Sequence, residues 1–317
     1  MTSIVSFKPR VEPVADSPQV SVADAMHPTS ASQTSVPLTS SAPATTEVSG
    51  RSVWLGRGSH LLANMLGQVV PPLLGFVGLI AVWAFASQHA AYLPGPMKTW
   101  DAARLLFADP FYVNGPNDVG VGWLLLSSLE RVALGFGLAV AVGVPLGFMI
   151  GRFVLLNRVT SAIISLLRPV SPLAWLPIGL AVFKAADPSA IFVIFITSIW
   201  PMVINTALGV TSVPKDYLNV ARVLRLSEWK VFTKILFPAA LPYVMTGMRL
   251  GLSTAWLVIV AAEMLTGGVG IGFWIWDEWN NLNMEHIIIA IFIIGFVGLL
   301  LERGMSLIAN RFDYRND

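Results

Sequence analysis

The sequence predicts an all-α protein that crosses a membrane about six times. Hydrophobic residues make up 55% of the 317 residues and charged residues only 12%, which is too little polar surface for a water-soluble globule. Six apolar segments each approach the roughly 20 residues that a helix needs to cross a bilayer. Basic residues are concentrated in alternate connections between these segments, as in polytopic membrane proteins.

Residues 1–50 differ in composition from the remainder of the chain. They are rich in Ser, Thr, Pro, Val and Ala, and they contain no continuous apolar run. This composition is typical of a disordered segment. A secretory signal would need about seven or more uninterrupted apolar residues, and Pro, Asp and Glu interrupt this stretch. We interpret residues 1–50 as a disordered, retained cytoplasmic tail.

The apolar segments follow in order from this tail. The first lies within 51–92, and the others lie in a core, 93–312, which is followed by a short cytoplasmic end at 313–317. The third contains Pro169, Pro172 and Pro177. The predicted spans are 69–87, 132–150, 162–183, 191–213, 241–265 and 287–308.

The basic residues that flank these spans predict the topology. One side carries Arg51, Arg57, Arg152, Arg158, Lys215, Arg222, Arg225, Lys230, Lys234, Arg303, Arg311 and Arg315. The other side carries only Lys98, Arg104 and Lys184. Because Lys and Arg favour the cytoplasmic side, we expect a multi-pass protein of a bacterial inner membrane with both termini in the cytoplasm.

The connection 214–237 is too polar to be a span and too long to be a tight turn. Apolar residues recur there at i, i+3, i+4 and i+7, namely Tyr217, Val220, Ala221 and Leu224. This spacing predicts one apolar face on a short helix that begins near Asp216. Ser227 is a suitable N-cap for a second helix, which ends at Leu236 before Pro238. The apolar face could bind a partner or rest on the membrane surface.

The same connection resembles that of the inner-membrane permeases of binding-protein-dependent ABC importers. Their signature is E-A-A, three residues, G, nine residues, I-x-L-P. Here it reads Asn219-Val220-Ala221, Arg225 and Ile235-Leu236-Phe237-Pro238, so that Asn219, Arg225 and Phe237 replace the Glu, Gly and Leu. The resemblance implies a type I ABC importer permease fold and a coupling helix that docks on an ATPase subunit. The implied coupling residues are Tyr217, Asn219, Val220, Ala221, Leu224, Arg225 and Ser227.

The resemblance extends over residues 93–312. It includes Ser128-Leu129-Glu130-Arg131-Val132, the stretch 167–177 and Ala262-Glu263-Met264, which resemble the nitrate, sulfonate and taurine branch, and the run 261–280 is similar to cyanobacterial nitrate or bicarbonate permeases. It implies translocation of a small inorganic anion, nitrate or nitrite first, with bicarbonate, sulfonate, taurine or cyanate as alternatives. Implied partners are ABC ATPase subunits, an extracytoplasmic solute-binding protein and a second permease subunit in a homodimer.

The sequence contains no nucleotide-binding loop. No G-x-x-x-x-G-K-[ST] pattern occurs, so we expect no ATP hydrolysis by this chain. The glycines at 267, 268, 270 and 272 predict a tight turn rather than a phosphate cradle. The four His are scattered, which argues against a membrane-embedded enzyme, and a passive channel would leave the connection 214–237 unexplained. We expect no cofactor, no metal site and no nucleic-acid partner.

Charged side chains within the spans are costly unless they face protein or water. Arg249, Ser253, Trp256, Val260 and Glu263 recur along one predicted face of the fifth span, which we expect to face a partner or a pore. Arg131 is predicted to pair with Glu263 near the outer end. Arg168 and Arg249 are candidate anion contacts, although either side chain could instead extend to the membrane interface. The candidate translocation path comprises Arg131, Arg168, Trp175, Arg249, Ser253, Trp256 and Glu263.

Aromatic and acidic residues are concentrated after the fifth span. Trp274, Trp276 and Trp279 lie beside Asp277 and Glu278 on the predicted outer side. Aromatic residues at this depth anchor many membrane proteins at the interface. The alternative is that this segment, together with 94–107, forms the docking surface for the solute-binding protein.

Overall fold

The computed structural model describes residues 52–90 and 92–311. Residues 66 onwards form one compact unit, to which the following description refers. The regular elements of the described residues are all helical, and one isolated β-bridge joins Val113 and Val119. The predicted tail at 1–50 and the predicted end at 313–317 lie outside the described residues.

Eleven α-helices are found in the described residues. They are α1 (Ser52–His89), α2 (Pro96–Leu106), α3 (Val121–Arg152), α4 (Val154–Leu167), α5 (Leu176–Phe183), α6 (Ala186–Thr211), α7 (Lys215–Val223), α8 (Glu228–Val231), α9 (Phe237–Thr266), α10 (Ile271–Asn280) and α11 (Met284–Asn310). A 3₁₀ turn at Pro172–Trp175 precedes α5, and a π turn at Phe232–Leu236 joins α8 to α9.

The helices confirm the prediction of about six membrane spans. Five are long and apolar enough: Val70–His89, Val121–Arg152, Ala186–Thr211, Glu228–Thr266 and Met284–Asn310. A sixth is possible if α4 and the 3₁₀–α5 segment count as one broken span. The second span begins at Val121, well before the predicted residue 132. The prediction placed Arg131 at the start of this span, whereas Arg131 lies inside α3, where it pairs with Asp187 and Glu263.

The third predicted span, 162–183, is corrected by the structure. α4 begins at Val154, the chain breaks after Leu167, and the helical segments on either side of the break meet at 97°. Pro169 and Pro172 lie at this break. Proline cannot donate the helical hydrogen bond, and it disfavours helical geometry in the residue before it. The prolines therefore end one helix and begin another, instead of kinking a continuous span.

The core of the bundle lies between α3, α6 and α9. Val132, Ile194 and Ile259 are fully or nearly fully buried there. A Cβ added at Gly143 of α3 would lie 2.8 Å from the Cβ of Met202 on α6. Such close helix contact is typical of membrane bundles, in which small residues allow tight packing. These three helices form the frame on which the other elements are held.

The glycine cluster after α9 forms the predicted tight turn. Gly267 and Gly268 adopt φ angles of 77° and 94°, in the left-handed region that glycine tolerates best. The chain thereby reverses between α9 and α10 within a few residues. This turn places the first residues of α10 beside α3 and the end of α9.

Candidate functional site

The connection after α6 projects a short helix from one end of the bundle. α7 is anchored on its inner side by Ala221, which is 2% exposed, and by the partly buried Leu218. The Leu226 N–H donates to the Ala221 carbonyl at 3.0 Å, and the Arg225 N–H donates to the Arg222 carbonyl at 3.0 Å. This hydrogen-bond pair is the Schellman ending of a helix. Arg225 adopts φ 48°, so the left-handed turn associated with the family glycine is formed by an arginine.

The outer side of α7 is apolar and exposed. Tyr217, Val220 and Leu224 are 61%, 56% and 64% exposed. Ala221 lies on the same side of the helix as Tyr217, as the spacing predicts, but unlike these three residues it is buried. At about 100° of rotation per residue, Ala221 lies between Tyr217 and Leu218 around the helix, and its small side chain lets α7 approach the bundle on that edge. We name Tyr217, Val220 and Leu224 the α7 surface.

The second predicted helix of this connection begins where expected. Ser227 caps α8, its hydroxyl accepting the Lys230 N–H at 3.4 Å. The helix does not end before Pro238, however, but continues through the π turn into α9. Within this turn the Phe237 N–H donates to the Phe232 carbonyl, a wider loop that suits a following residue without an N–H. Glu228 pairs with Arg152 of α3 at 3.0 Å, which holds α8 against the bundle.

A buried ion pair lies at the opposite end of the bundle. Arg131 Nη1 donates to Glu263 Oε1 at 2.7 Å, which confirms the predicted pairing. Arg131 also contacts Asp187 of α6 at 2.8 Å and donates to the Val269 carbonyl at 2.8 Å. Glu263 is 2% exposed, so its charge depends on these partners.

The same cluster holds the first turn of α10. The Gly272 N–H donates to Glu263 Oε2 at 2.9 Å, and the Ile271 N–H donates to Ser128 Oγ at 3.0 Å. The Ser128 hydroxyl donates to Glu263 Oε2 at 2.9 Å. Glu263 and Ser128 thus satisfy N–H groups that α10 cannot pair internally, and the carboxylate lies at the positive end of the helix. A Cβ at Gly272 would overlap the Val260 carbonyl, so α10 can approach this closely only with glycine there. We name Ser128, Arg131, Asp187 and Glu263 the α10 anchor.

The predicted polar stripe on α9 divides into two parts. Arg249 and Ser253 are exposed on the surface of the bundle. Trp256 is 5% exposed and its indole N–H donates to the Ile294 carbonyl of α11 at 3.0 Å, while Glu263 belongs to the α10 anchor. The stripe therefore does not line one surface, because α10 and α11 cover its later residues.

Two other path candidates line one cleft. Arg168, at the break after α4, and Trp175, in the 3₁₀ turn, border a space of about 330 Å³ against the middle of α6 and α9. The remaining lining residues are Val170, Pro172, Ile196, Thr197, Trp200, Pro201, Ile204, Asn205, Leu250 and Thr254. We name this space the α4-break cleft. Arg131, Arg249, Ser253, Trp256 and Glu263 do not line it.

Sequence reasoning missed several partners of these residues. Ser128 and Asp187 complete the α10 anchor, and Trp200 and Asn205 line the α4-break cleft. Asp187 is in the first turn of α6, where an acidic residue is common at any helix start. No local sequence pattern distinguishes these residues, because each of them meets its partners on helices that are distant in the sequence.

The aromatic segment on α10 has both inward and outward members. The Trp274 indole N–H donates to Glu278 at 2.9 Å, and its ring lies 5.7 Å from that of His286. Trp276 and Trp279 are 44% and 52% exposed. Trp274 therefore connects α10 with α11, and the other two tryptophans face outwards.

An all-helical bundle with five or six candidate spans and a short helix projecting from one end is the architecture of a polytopic membrane protein. The chain belongs to the family of binding-protein-dependent transport system inner membrane components, whose family model matches residues 143–314. It is thus an ABC importer permease subunit. The matched region includes the α7 surface and most of the bundle core.

Curated relatives and solved structures agree with this membership. The nitrate import permease protein NrtB of Synechocystis sp. is 49% identical over 237 residues, covering 74% of this chain and 86% of the relative. The bicarbonate transport system permease protein CmpB of Synechocystis sp. is 47% identical over 244 residues, covering 76% and 87%. An inward-facing structure of the MetNI methionine ABC transporter has a TM-score of 0.54 at 15% identity and covers 59% of this chain and 93% of its own. This last likeness concerns the fold alone.

Proposed function

We propose that this permease subunit carries nitrate across the inner membrane by alternating access, driven by separate ABC ATPase subunits. The similarity to two curated proteins with near-equal identity, one for nitrate and one for bicarbonate, restricts the cargo to a small oxyanion. Nitrate comes first, because the relative named for it has the higher identity. Neither relative is named for nitrite, cyanate, a sulfonate or taurine.

The α7 surface is the observation that carries the coupling role. Tyr217, Val220 and Leu224 expose apolar area on a helix whose other side is firmly packed through Ala221. A rigid helix with one apolar face is suited to a groove on a partner protein. Asn219, about 100° around the helix from Val220, and Arg225, just past the end of the helix, are both exposed, so each can make a polar contact with a partner that covers the end of α7. An ATPase subunit that closes around ATP would move α7 and, through Glu228 and Arg152, the end of α3.

The proposal includes a defined assembly. Both termini and the α7 surface lie in the cytoplasm, and the α10 anchor lies at the outer face. Two copies of this chain pair, because one set of five or six helices does not enclose a path by itself. A solute-binding protein delivers the anion to the outer end, where Trp276 and Trp279 are exposed. ATP binding and hydrolysis belong to the partner subunits.

The test combines uptake with assembly. Cells without this chain are complemented with the wild type, with Leu224→Asp or with Val113→Asp, and uptake of ¹⁵N-nitrate is measured. Val113 is a matched control because it is 67% exposed but lies remote from α7 in the loop before α3. We expect Leu224→Asp to abolish both uptake and co-purification of the ATPase subunit, and Val113→Asp to retain co-purification. Undiminished uptake by Leu224→Asp would refute the coupling role.

Bicarbonate is the second candidate cargo, favoured by the CmpB relative. Parallel uptake of ¹³C-bicarbonate in the same cells distinguishes the two. Chain-dependent bicarbonate uptake without nitrate uptake would reassign the cargo and leave the permease role intact.

A further inference from the structure

We propose that the α4-break cleft is an anion-binding subsite within the membrane, and that it takes a planar monovalent oxyanion through Arg168. The inference rests on the proposed function and deepens it, because it assigns a place where the cargo is held during passage. The cleft volume of about 330 Å³ is several times the roughly 30 Å³ that one water molecule occupies in the liquid. A small oxyanion therefore fits with part of its hydration shell.

The cleft lies at a depth that suits an intermediate binding site on a translocation path. Its lining residues on α6 run from Ile196 to Asn205, near the middle of a helix that spans Ala186–Thr211. Leu250 and Thr254 lie near the middle of α9. Irregular backbone at such depth is tolerated where it is buried in protein or lines an aqueous cavity, and interrupted helices commonly mark binding sites in transporters. The break at residues 168–171 borders this cleft.

The charge of the cleft selects an anion. Its lining includes Arg168 and no acidic residue. Arg131 and Arg152 each pair with a carboxylate, whereas Arg168 forms no ion pair with any described residue. Arg168 also lies about 21 Å along α4 from Val154, at 1.5 Å per residue, which is beyond the reach of its side chain to that end of the helix. A positive side chain held at this depth in the membrane is stabilised when an anion binds beside it.

The remaining groups of the cleft favour a flat ligand with diffuse charge. The hydroxyls of Thr197 and Thr254 and the amide N–H of Asn205 already donate to carbonyls of their own helices. Trp175 and Trp200 also line the cleft, and their indole N–H groups donate to no described residue. A guanidinium matches the planar edge of a delocalised oxyanion, and indole rings supply flat walls. Nitrate and bicarbonate both have this planar form.

The experiment uses the full complex in cells and after purification. Uptake of ¹⁵N-nitrate is measured for the wild type, Arg168→Gln and Arg168→Lys, at equal membrane abundance of the permease. The control is Arg158→Gln, which removes an exposed arginine from the same helix outside the cleft. The second readout is ATPase activity of the purified complex stimulated by the nitrate-loaded binding protein. We expect Arg168→Gln to lower uptake about tenfold to hundredfold, the range for a lost charge-assisted hydrogen bond, with stimulated ATPase activity retained.

The outcomes separate this proposal from the proposed function. Partial rescue by Arg168→Lys and normal uptake by Arg158→Gln support the subsite, while equal uptake by wild type and Arg168→Gln overturns it. Loss of the stimulated ATPase activity together with uptake in Arg168→Gln also overturns it, because it indicates a structural role for the side chain. If Arg168→Gln does not reach the membrane, Thr254→Asp places a carboxylate in the cleft, and undiminished uptake relative to Thr254→Asn refutes the proposal. Absence of nitrate and bicarbonate uptake by the wild type refutes the proposed function itself.

Discussion

Replacement of Glu263 by glutamine tests how strongly the α10 anchor holds its end of the bundle together. The substitution keeps the shape of the side chain but removes its charge. Glu263 accepts hydrogen bonds from Arg131, Ser128 and the Gly272 N–H, at 2.7, 2.9 and 2.9 Å. A carboxylate can accept hydrogen bonds at both oxygens. A glutamine amide has one accepting oxygen, so its NH₂ must point either at Arg131 or at Ser128 and the Gly272 N–H. At least one hydrogen bond is therefore replaced by a repulsive contact.

The expected loss follows from the burial of the pair. Removing one partner of a buried ion pair costs about 3–5 kcal/mol. The lower end applies here, because Arg131 keeps Asp187 and the Val269 carbonyl as partners. We therefore expect Glu263→Gln to destabilise the subunit by about 3 kcal/mol, which corresponds to roughly 4–6 °C in the apparent midpoint of unfolding for a chain of this size.

Thermal unfolding of the purified complex in lipid nanodiscs measures this change. Asp187→Asn is the matched control, because it removes the anchor carboxylate that is 67% exposed and so should shift the midpoint little. The double variant Glu263→Gln with Arg131→Gln should lose about 1–3 kcal/mol less stability than the sum of the losses in the two single variants. A midpoint of Glu263→Gln within about 1 °C of the wild type, where roughly 4–6 °C is expected, would refute the reasoning, as would strict additivity.

Three further predictions concern stability and are measured by the same unfolding assay. Ser128→Ala leaves the Ile271 N–H buried without its acceptor, so we expect a loss of about 1–3 kcal/mol; an unchanged midpoint would contradict this. Arg225→Gly should be neutral or stabilising by up to about 1 kcal/mol, because φ 48° is costly for a side-chain residue, and a clear loss of stability would show that the arginine makes a contact of its own. Trp256→Phe removes the hydrogen bond to the Ile294 carbonyl and should cost about 1–3 kcal/mol, with Trp279→Phe as an exposed control.

Hydropathy and the family resemblance were sufficient to predict the fold class, the approximate spans and the short helix after α6. Long apolar segments in lipid have few alternatives to helices, because backbone groups must be paired internally. The Arg131–Glu263 pair could also be predicted, since both residues lie at the same depth and neither is stable alone in the membrane. Each of these inferences needs only the pattern within one helix or the depth of a residue in the membrane. Both can be estimated from the order of residues along the chain.

Features that depend on how helices pack were not accessible in this way. The angle of 97° after α4 results from the break at Pro169 and Pro172 together with the contact of the following turn with α6 and α9. Likewise, the residues of the predicted stripe do lie on one side of α9. However, α11 covers Trp256, while Arg249 remains exposed. Helical periodicity indicates which residues share a face and not which neighbour covers each part of it.

The π turn at Phe232–Leu236 has a consequence for motion in this subunit. At the other end, four side chains fasten α3, α6, α9 and α10 to one another, so these helices tilt there as a single body. Wide helical turns hold fewer regular hydrogen bonds and bend more readily than α-helix. The chain between α7 and α9 therefore bends most readily at this turn. The end of the bundle next to α7 is more compliant than the end that the α10 anchor fastens.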